Sequence, residues 1–149
     1  MRPSILRGRR RTAVCGALLA AACLMTSGCS DDSTPQEEQT KNTQALCDSL
    51  RDMKTDAQKL ASMDRSTSTL DDIKAARSDV SDAFQDVKED AKGIGEAKAD
   101  EISQAYDDLK STVDGLAGDT TAGEAIQQVK PQVDKLLSAI RTSETSVSC

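Results

Sequence analysis

The chain has 149 residues, with 19 Lys and Arg against 25 Asp and Glu, and it contains no histidine. Without imidazole groups, His-based catalytic triads and histidine metal ligands are excluded. The surplus of acids argues against nucleic-acid binding. Phe84 and Tyr106 are the only aromatic residues, so surfaces on which bases, sugars or flat cofactors could stack are nearly absent.

Residues 1–28 have the organisation of an export signal. Residues 2–11 contain five arginines and no acid, residues 13–25 form an apolar run, and small residues precede Cys29. This order is typical of a secretory signal peptide. The alternative is an uncleaved membrane anchor, but the apolar run is shorter than the roughly 20 residues that span a bilayer.

Residues 26–29 read Thr-Ser-Gly-Cys and resemble the lipobox of bacterial lipoprotein precursors. The resemblance implies that the Cys29 thiol receives a diacylglyceryl group and that the peptide bond before it is cut. Two acyl chains would then hold the mature protein stably at the membrane face. Thr26 departs from the family pattern, which usually has Leu there. Cys23 is a rival site, but apolar residues follow it, whereas a polar stretch follows Cys29.

Cleavage before Cys29 removes five basic residues and no acid, which leaves 14 Lys and Arg against 25 Asp and Glu. Such an acidic body is expected to be soluble and to be repelled by anionic headgroups. Residues 29–43 are predicted to be the lipidated cysteine and a disordered tether, because residues 30–43 are rich in Ser, Asp, Thr, Gln and Glu. Residues 44–149 are predicted to be the folded domain.

This domain contains four segments in which apolar residues recur three and four positions apart, as in the helices of a bundle. No stretch alternates with period two, so the predicted fold class is all-α. The predicted stripes are Leu46, Leu50, Met53, Ala57 and Leu60; Leu70, Ile73, Arg77, Val80, Phe84, Val87, Ala91 and Ile94; Ile102, Ala105, Leu109 and Leu116, with Val113 beside them; and Ile126, Val129, Val133, Leu136, Ile140, Ser143 and Val147.

Local signals predict where these helices begin and end. Residues 68–72 (Ser-Thr-Leu-Asp-Asp) and 121–124 (Thr-Ala-Gly-Glu) have the sequence of capping boxes before the second and fourth helices. Residues 93–95 (Gly-Ile-Gly) predict the break between the second and third helices. The stripe nearly continues through them, so one long helix from about residue 69 to 117 is the alternative. Pro131 predicts either a kink in the fourth helix or a new helix start.

Two cysteines remain after export and lipidation, Cys47 and the last residue, Cys149. An even pair outside the cytoplasm predicts a disulfide, and two thiols or an intermolecular bridge are the alternatives. In an up-down-up-down four-helix bundle the first helix starts where the last one ends, so the two cysteines can meet. They could also meet beside one long central helix. We expect the four-helix bundle, because the more compact arrangement buries more of a thin core.

The body resembles small helical lipoproteins of high-GC Gram-positive bacteria. The resemblance rests on the cysteine that opens the first helix, on the terminal cysteine, and on the segments LDDIK (70–74), YDDLK (106–110) and KPQVDKLL (130–137). It implies a helical fold and a lipid-anchored location outside the cytoplasm. It implies no particular activity, because none is established for that group.

Patterns that indicate catalysis or metal binding are missing from the sequence. Adjacent carboxylates occur at 71–72, 89–90, 100–101 and 107–108, but they lie off the apolar stripes, which predicts solvated positions and not an inward-facing pair. Neither a calcium-binding loop nor a Gly-rich phosphate loop occurs. No catalytic residue, cofactor or metal site is predicted, and the chain is expected not to be an enzyme.

Two residues interrupt the stripe pattern. Arg77 occupies a core position of the second helix. It is interpreted either as a structural residue whose stem packs while its charged head reaches solvent, or as a cation that pairs with an acid or receives an anionic ligand. Tyr106 lies one position off the core line of the third helix, and it either packs with its hydroxyl in water or anchors a partner.

These features predict a lipoprotein held through Cys29 at the extracytoplasmic face of the cell membrane. It would have no enzymatic activity and would present an acidic helical bundle to a protein or cell-envelope partner. The alternative is a carrier that holds a small apolar or lipid ligand between its helices. Nucleic acid is not an expected partner.

Overall fold

A computed structural model describes residues 34–94 and 99–149, and no strand occurs in these two ranges. The predicted all-α fold is therefore confirmed. The predicted signal peptide (1–28), the predicted lipidation site Cys29 and the first tether residues lie outside the described ranges. The helices are α1 (Pro35–Ala61), α2 (Leu70–Ala91), α3 (Asp100–Asp114) and α4 (Ala122–Val147).

The expected four-helix arrangement is confirmed, and the alternative of one long central helix is wrong. α2 ends at Ala91 and α3 begins at Asp100. The chain leaves α2 through Gly93, which lies so close to α1 that a Cβ atom there would come within 2.7 Å of Nδ2 of Asn42. A residue without a side chain therefore allows the connection to pass next to α1.

Neighbouring helices run antiparallel in an up-down-up-down order, and α4 closes the circle by packing against α1. Each neighbouring pair of helices is joined by side-chain contacts. Examples are Ser49 Oγ with Asp90 Oδ2 (α1 and α2), Phe84 with Tyr106 (α2 and α3), Asp108 with Lys135 (α3 and α4), and Lys54 with Glu144 (α1 and α4).

The apolar stripes meet inside the bundle and form one core. Full burial of a Val, Leu, Ile or Met side chain contributes roughly 1.5–3 kcal/mol relative to exposure. Leu70, Ile94 and Val147 lie at the ends of their stripes and are only half-buried. The largest side chains that are fully buried are Leu46, Leu50, Met53, Ile73, Val80, Val87, Ile102, Leu109, Val113, Val133, Leu136 and Ile140.

Both predicted capping boxes are present. The hydroxyls of Thr69 and Thr121 accept from the backbone N–H groups of Asp72 and Glu124, whose carboxylates accept in return from the threonine backbones. Backbone and hydroxyl donors of the threonines lower the pKa of both carboxyls below its ordinary value. Because these pKa values are lowered by folding, the stabilisation is present above the ordinary carboxyl pKa and is lost as the pH falls through the lowered one.

α1 begins at Pro35, so the predicted disordered tether is wrong for residues 35–43, and the folded part starts before residue 44. Thr34 and Glu37 form a third capping box, and Pro35 occupies the first helical position. A helix that is already nucleated in a core extends at little further cost. This cooperativity is invisible to an argument from composition alone.

We call residues 35–45 the polar extension of α1. Every side chain in it is exposed except the half-buried Thr43, and Leu46 is the first buried side chain of the helix. A helix that is polar all round has no core of its own to stabilise it. The polar extension therefore depends on its cap and on its continuity with the packed part of α1.

α4 continues through Pro131, so the alternative of a new helix start at that residue is wrong. Proline has no N–H to donate to the carbonyl of Gln127 four residues earlier. Pro131 and Gln127 are both exposed, and on this side of the helix water can donate to that carbonyl instead.

Replacing Thr34 by alanine should unravel the polar extension without unfolding the bundle. Loss of an N-cap side chain costs about 0.5–2 kcal/mol, and the polar extension has no buried side chain to offset that loss. Amide hydrogen exchange should therefore accelerate in residues 35–45, while urea unfolding of the bundle stays unchanged.

Thr69→Ala is the matched control, because Thr69 caps a helix whose second turn carries the buried Ile73. This variant should lower the free energy of global unfolding by about 1 kcal/mol. If hydrogen exchange in residues 35–45 were the same in Thr34→Ala as in the wild type, the role given to the Thr34 cap would be wrong.

Candidate functional site

The two cysteines meet at the end of the bundle where α1 begins its packed part and α4 ends. Their Cα atoms are 5.5 Å apart, and their sulfur atoms lie at disulfide distance. Cα separations of about 5.5–6 Å are the most common in disulfides. Cys47 is half-buried on α1, and Cys149 is exposed just beyond α4. The structure thus brings together the pair that the sequence predicts.

A Schellman motif at the end of α4 positions Cys149. The backbone N–H of Cys149 donates to the carbonyl of Glu144 at 2.9 Å, and that of Ser148 donates to the carbonyl of Thr145 at 3.3 Å. Ser148 has a left-handed backbone with a φ of 67°, which is uncommon for a residue with a side chain. This turn ends the helix and leaves the last residue beside α1.

An ion pair joins α1 and α4 further along the same interface. Nζ of Lys54 donates to the carboxylate of Glu144, with the shorter contact at 2.8 Å. The two side chains are 30% and 23% exposed, so solvent screens the pair and its contribution is below about 1 kcal/mol. We call Cys47, Lys54, Glu144 and Cys149 the α1–α4 clasp.

Arg77 lies between α2 and α3, with 18% of its side chain exposed. Its Nη2 donates to Oδ1 of Asp114 at 2.8 Å, so it pairs with an acid on the neighbouring helix. Lys110 donates to the other carboxylate oxygen of Asp114. The hydrogen bond from Lys110, and then the charge of Arg77, hold the pKa of Asp114 below its ordinary value.

Asp114 and Lys110 are not singled out by the sequence analysis. Their i, i+4 spacing on α3 is a signal for a pair within one helix. Their meeting with Arg77 depends on how α2 and α3 are rotated against each other, which the sequence pattern does not define.

Tyr106 is buried in the core, with 4% of its surface exposed. Its ring stacks on that of Phe84 with the centroids 4.3 Å apart, and Nζ of Lys88 lies 5.6 Å from the Phe84 centroid. The interpretation of Tyr106 as an exposed partner anchor is therefore wrong. The two aromatic residues of the chain instead join α2 to α3.

The adjacent carboxylates lie outside the core, and seven of the eight are exposed. Asp90 is half-buried and accepts a hydrogen bond from Ser49. Within residues 34–94 and 99–149, no three Cys, Asp or Glu residues converge in a way that could hold a metal ion.

A row of acids runs along α2 at a spacing of three, four and seven residues, which places them on one face. We call this row the acidic stripe, and all of its members are exposed. Lys74, Arg77 and Lys88 lie on the side of α2 that faces α3. The acidic stripe consists of Asp72, Asp79, Asp82, Asp86 and Glu89.

Clefts on the outside of the bundle are lined mainly by polar side chains. One of about 310 Å³ between α3 and α4 has Glu101, Asp108 and Lys135 in its lining. Another of about 360 Å³ between α2 and α3 is lined by Lys74, Arg77, Val113 and Asp114. The apolar residues in these two linings are Ala105, Ala139 and Val113, and no aromatic side chain lines either cleft, although aromatic and larger apolar residues are usual in small-molecule sites.

Comparison of the chain with protein-family models, with curated proteins and with solved structures finds no match. Among the helices described, none combines the length and the apolar character needed to cross a bilayer.

Removing the cysteine pair should lower the stability of the bundle. The two cysteines are 102 residues apart, and in the chain-entropy model a cross-link closing a loop of about 100 residues contributes roughly 4–5 kcal/mol. We expect the oxidised protein to unfold at a higher urea concentration than the variant carrying both Cys47→Ser and Cys149→Ser.

Added reductant is the control for this comparison. It should bring the wild-type midpoint down to that of the double variant and leave the double variant unchanged. Equal midpoints for the oxidised wild type and the double variant would show that the two cysteines do not cross-link the fold.

Proposed function

We propose that the chain is a non-enzymatic lipoprotein, anchored through Cys29 at the extracytoplasmic face of the cell membrane, whose acidic bundle binds a protein or cell-envelope partner. The observation that carries this proposal is the placement of Cys47 and Cys149 at disulfide distance. Disulfides persist in oxidising compartments outside the cytoplasm. The same location follows independently from the resemblance of residues 26–29 to a lipobox.

Antiparallel packing supports a defined orientation of the anchored bundle. Cys29 precedes Thr34 by five residues, which reach at most about 18 Å when fully extended. The starts of α1 and α3 and the ends of α2 and α4 lie at one end of the bundle. This end would face the membrane, and the connections at residues 62–69 and 115–121 would lie at the far end.

The length of α1 and the negative charge of the body would both keep most of such a bundle away from the lipid surface. α1 has 27 residues, so it is about 40 Å long at 1.5 Å per residue. The acidic body is repelled by anionic headgroups, and the polar extension offers no apolar face to the bilayer. The protein would therefore stand out from the membrane with its sides accessible to a partner.

The acidic stripe is the surface that best fits a partner with basic groups. Its five carboxylates are exposed along one face of α2, and none of them forms an ion pair with a basic residue among residues 34–94 and 99–149 within 4.0 Å. Charges arranged in this way guide association with an oppositely charged surface. No observation on the described clefts favours the alternative of a carrier for an apolar ligand.

Replacing Cys29 by serine should release the protein from the membrane, because serine cannot form the thioether that would carry the lipid. We expect the variant in the soluble fraction and the wild type in the detergent phase after Triton X-114 separation. Cys23→Ser is the matched control and should stay with the detergent phase. Retention of Cys29→Ser in that phase would refute anchoring through this residue.

Neutralising the acidic stripe should weaken binding to the partner. Chemical cross-linking in native membranes, followed by mass spectrometry, should yield a reproducible complex with the wild type. The complex should be depleted in the variant with Asp79→Asn, Asp82→Asn and Asp86→Asn, and it should weaken as salt screens the charges.

The matched control removes the same number of charges from α3, by Asp100→Asn, Glu101→Gln and Asp107→Asn, all exposed positions. This control variant should cross-link like the wild type. Equal loss in both variants would indicate a dependence on net charge alone and would contradict the assignment to the acidic stripe.

A further inference from the structure

The cleft between α2 and α3 has a charge opposite to that of the molecule as a whole. Its lining includes Lys74 and Arg77 from α2 and Asp114 from α3. Lys110, one turn before Asp114, donates to the same carboxylate. Arg77 and Lys110 thus pair with one carboxylate, and Lys74 lines the same cleft without an ion pair to Asp114. These four residues carry three positive charges and one negative charge, although acids outnumber bases in the chain.

The guanidinium of Arg77 still has donors to offer. It carries five N–H groups, of which the structure pairs Nη2 with Asp114. Its Nε is buried and has no acceptor within the described part of the chain. A buried donor without an acceptor costs about 1–3 kcal/mol, so the burial of Nε does not by itself stabilise the fold.

The position of Arg77 in the helix strengthens this argument. It occupies a place in the apolar stripe of α2, between the buried Ile73 and Val80. An apolar side chain at such a position generally stabilises a fold as well as or better than a charged pair. Departures of this kind from the local pattern are expected where a residue serves a function.

We propose that this cleft is a binding site for a phosphate group, in which Arg77 and Lys74 contact the oxyanion. A guanidinium fork matches the oxygens of phosphate, and a lysine adds a mobile point charge. Asp114 and Lys110 are positioning residues, since the carboxylate holds the guanidinium between the two helices. The two uncompensated positive charges match the charge of a phosphate dianion.

This site is independent of the proposed partner surface, because it lies on the side of α2 that faces α3 and uses none of the acidic stripe. The volume of the cleft, about 360 Å³, exceeds that of one phosphate group. A phosphate ester could therefore enter with part of its organic group.

The test is an NMR titration of the oxidised mature protein, kept in nonionic detergent, with inorganic phosphate at constant ionic strength. We expect saturable shifts of the backbone amides of Lys74, Arg77, Val113 and Asp114, with a dissociation constant in the range of about 1 mM. Sodium chloride at the same ionic strength should leave these amides in place. If sodium chloride shifted these amides as much as phosphate does, the shifts would come from general screening of charges and not from phosphate binding, and the proposal would be overturned.

Lys74→Gln is the first variant, because Lys74 is exposed and its replacement leaves the fold intact. It should weaken phosphate binding about tenfold, since it removes one charged contact. Lys74→Arg should restore binding. Lys130→Gln is the matched control on α4, where Lys130 pairs with Asp134, and it should bind like the wild type.

Arg77→Lys keeps the charge but removes the fork, and it should weaken binding about tenfold or more. Its spectrum also reports whether the bundle is still folded. If the folded variants Lys74→Gln and Arg77→Lys both bound phosphate like the wild type, the cleft would not be the site.

Discussion

Packing of the apolar stripe of α1 against both α2 and α4 is the contact on which the rest of the structure depends. α1 is the helix that packs against both the second and the last helix of the bundle. Leu46, Leu50 and Met53 are buried in this contact region. Without it, the end of α4 would not lie beside α1, and the two cysteines could not meet.

The α1–α4 clasp depends on three kinds of interaction at this interface. Packing sets the distance between the two helices, and the Schellman motif places Cys149 beside α1. The ion pair of Lys54 with Glu144 joins the same two helices one or two turns away from the cysteines. Ser148 adopts the left-handed backbone conformation that the Schellman motif requires. A cross-link at this point would close a loop of about 100 residues and would restrict the unfolded state strongly.

Local signals in the sequence predict much of this fold. The spacing of the apolar stripes predicts four helices and most of the buried residues. The capping boxes at Thr69 and Thr121 predict where two of the helices begin. The same Thr-x-x-Glu signal is present at residues 34–37, but the polar composition around it favours a disordered tether. The helix nevertheless extends there, because nucleation has already occurred in the packed part of α1.

Interactions between helices are the part that the sequence pattern does not define. The partner of Arg77 and the burial of Tyr106 depend on how α2 and α3 rotate against each other, and side-chain periodicity leaves that angle open. The pairing of Cys47 with Cys149 is different, because topology and chain order restrict it strongly. The order of the helices is therefore predictable, whereas the extent of α1 and the relative rotation of α2 and α3 are not.

The distribution of charge around α2 connects these structural features with function. One side of this helix presents the acidic stripe to solvent, and the other side places Lys74 and Arg77 in the cleft with α3. A single helix thus separates a negative surface from a positive cleft.

Peptide mapping without reduction tests the closure of α1 on α4 most directly. Trypsin cuts after Lys41, Arg51 and Arg141, so natively isolated protein with blocked thiols should yield residues 42–51 joined to residues 142–149 in one species. This species should separate into its two peptides after reduction. Recovery of both peptides with blocked thiols, or of each joined to its own copy, would contradict the closed bundle.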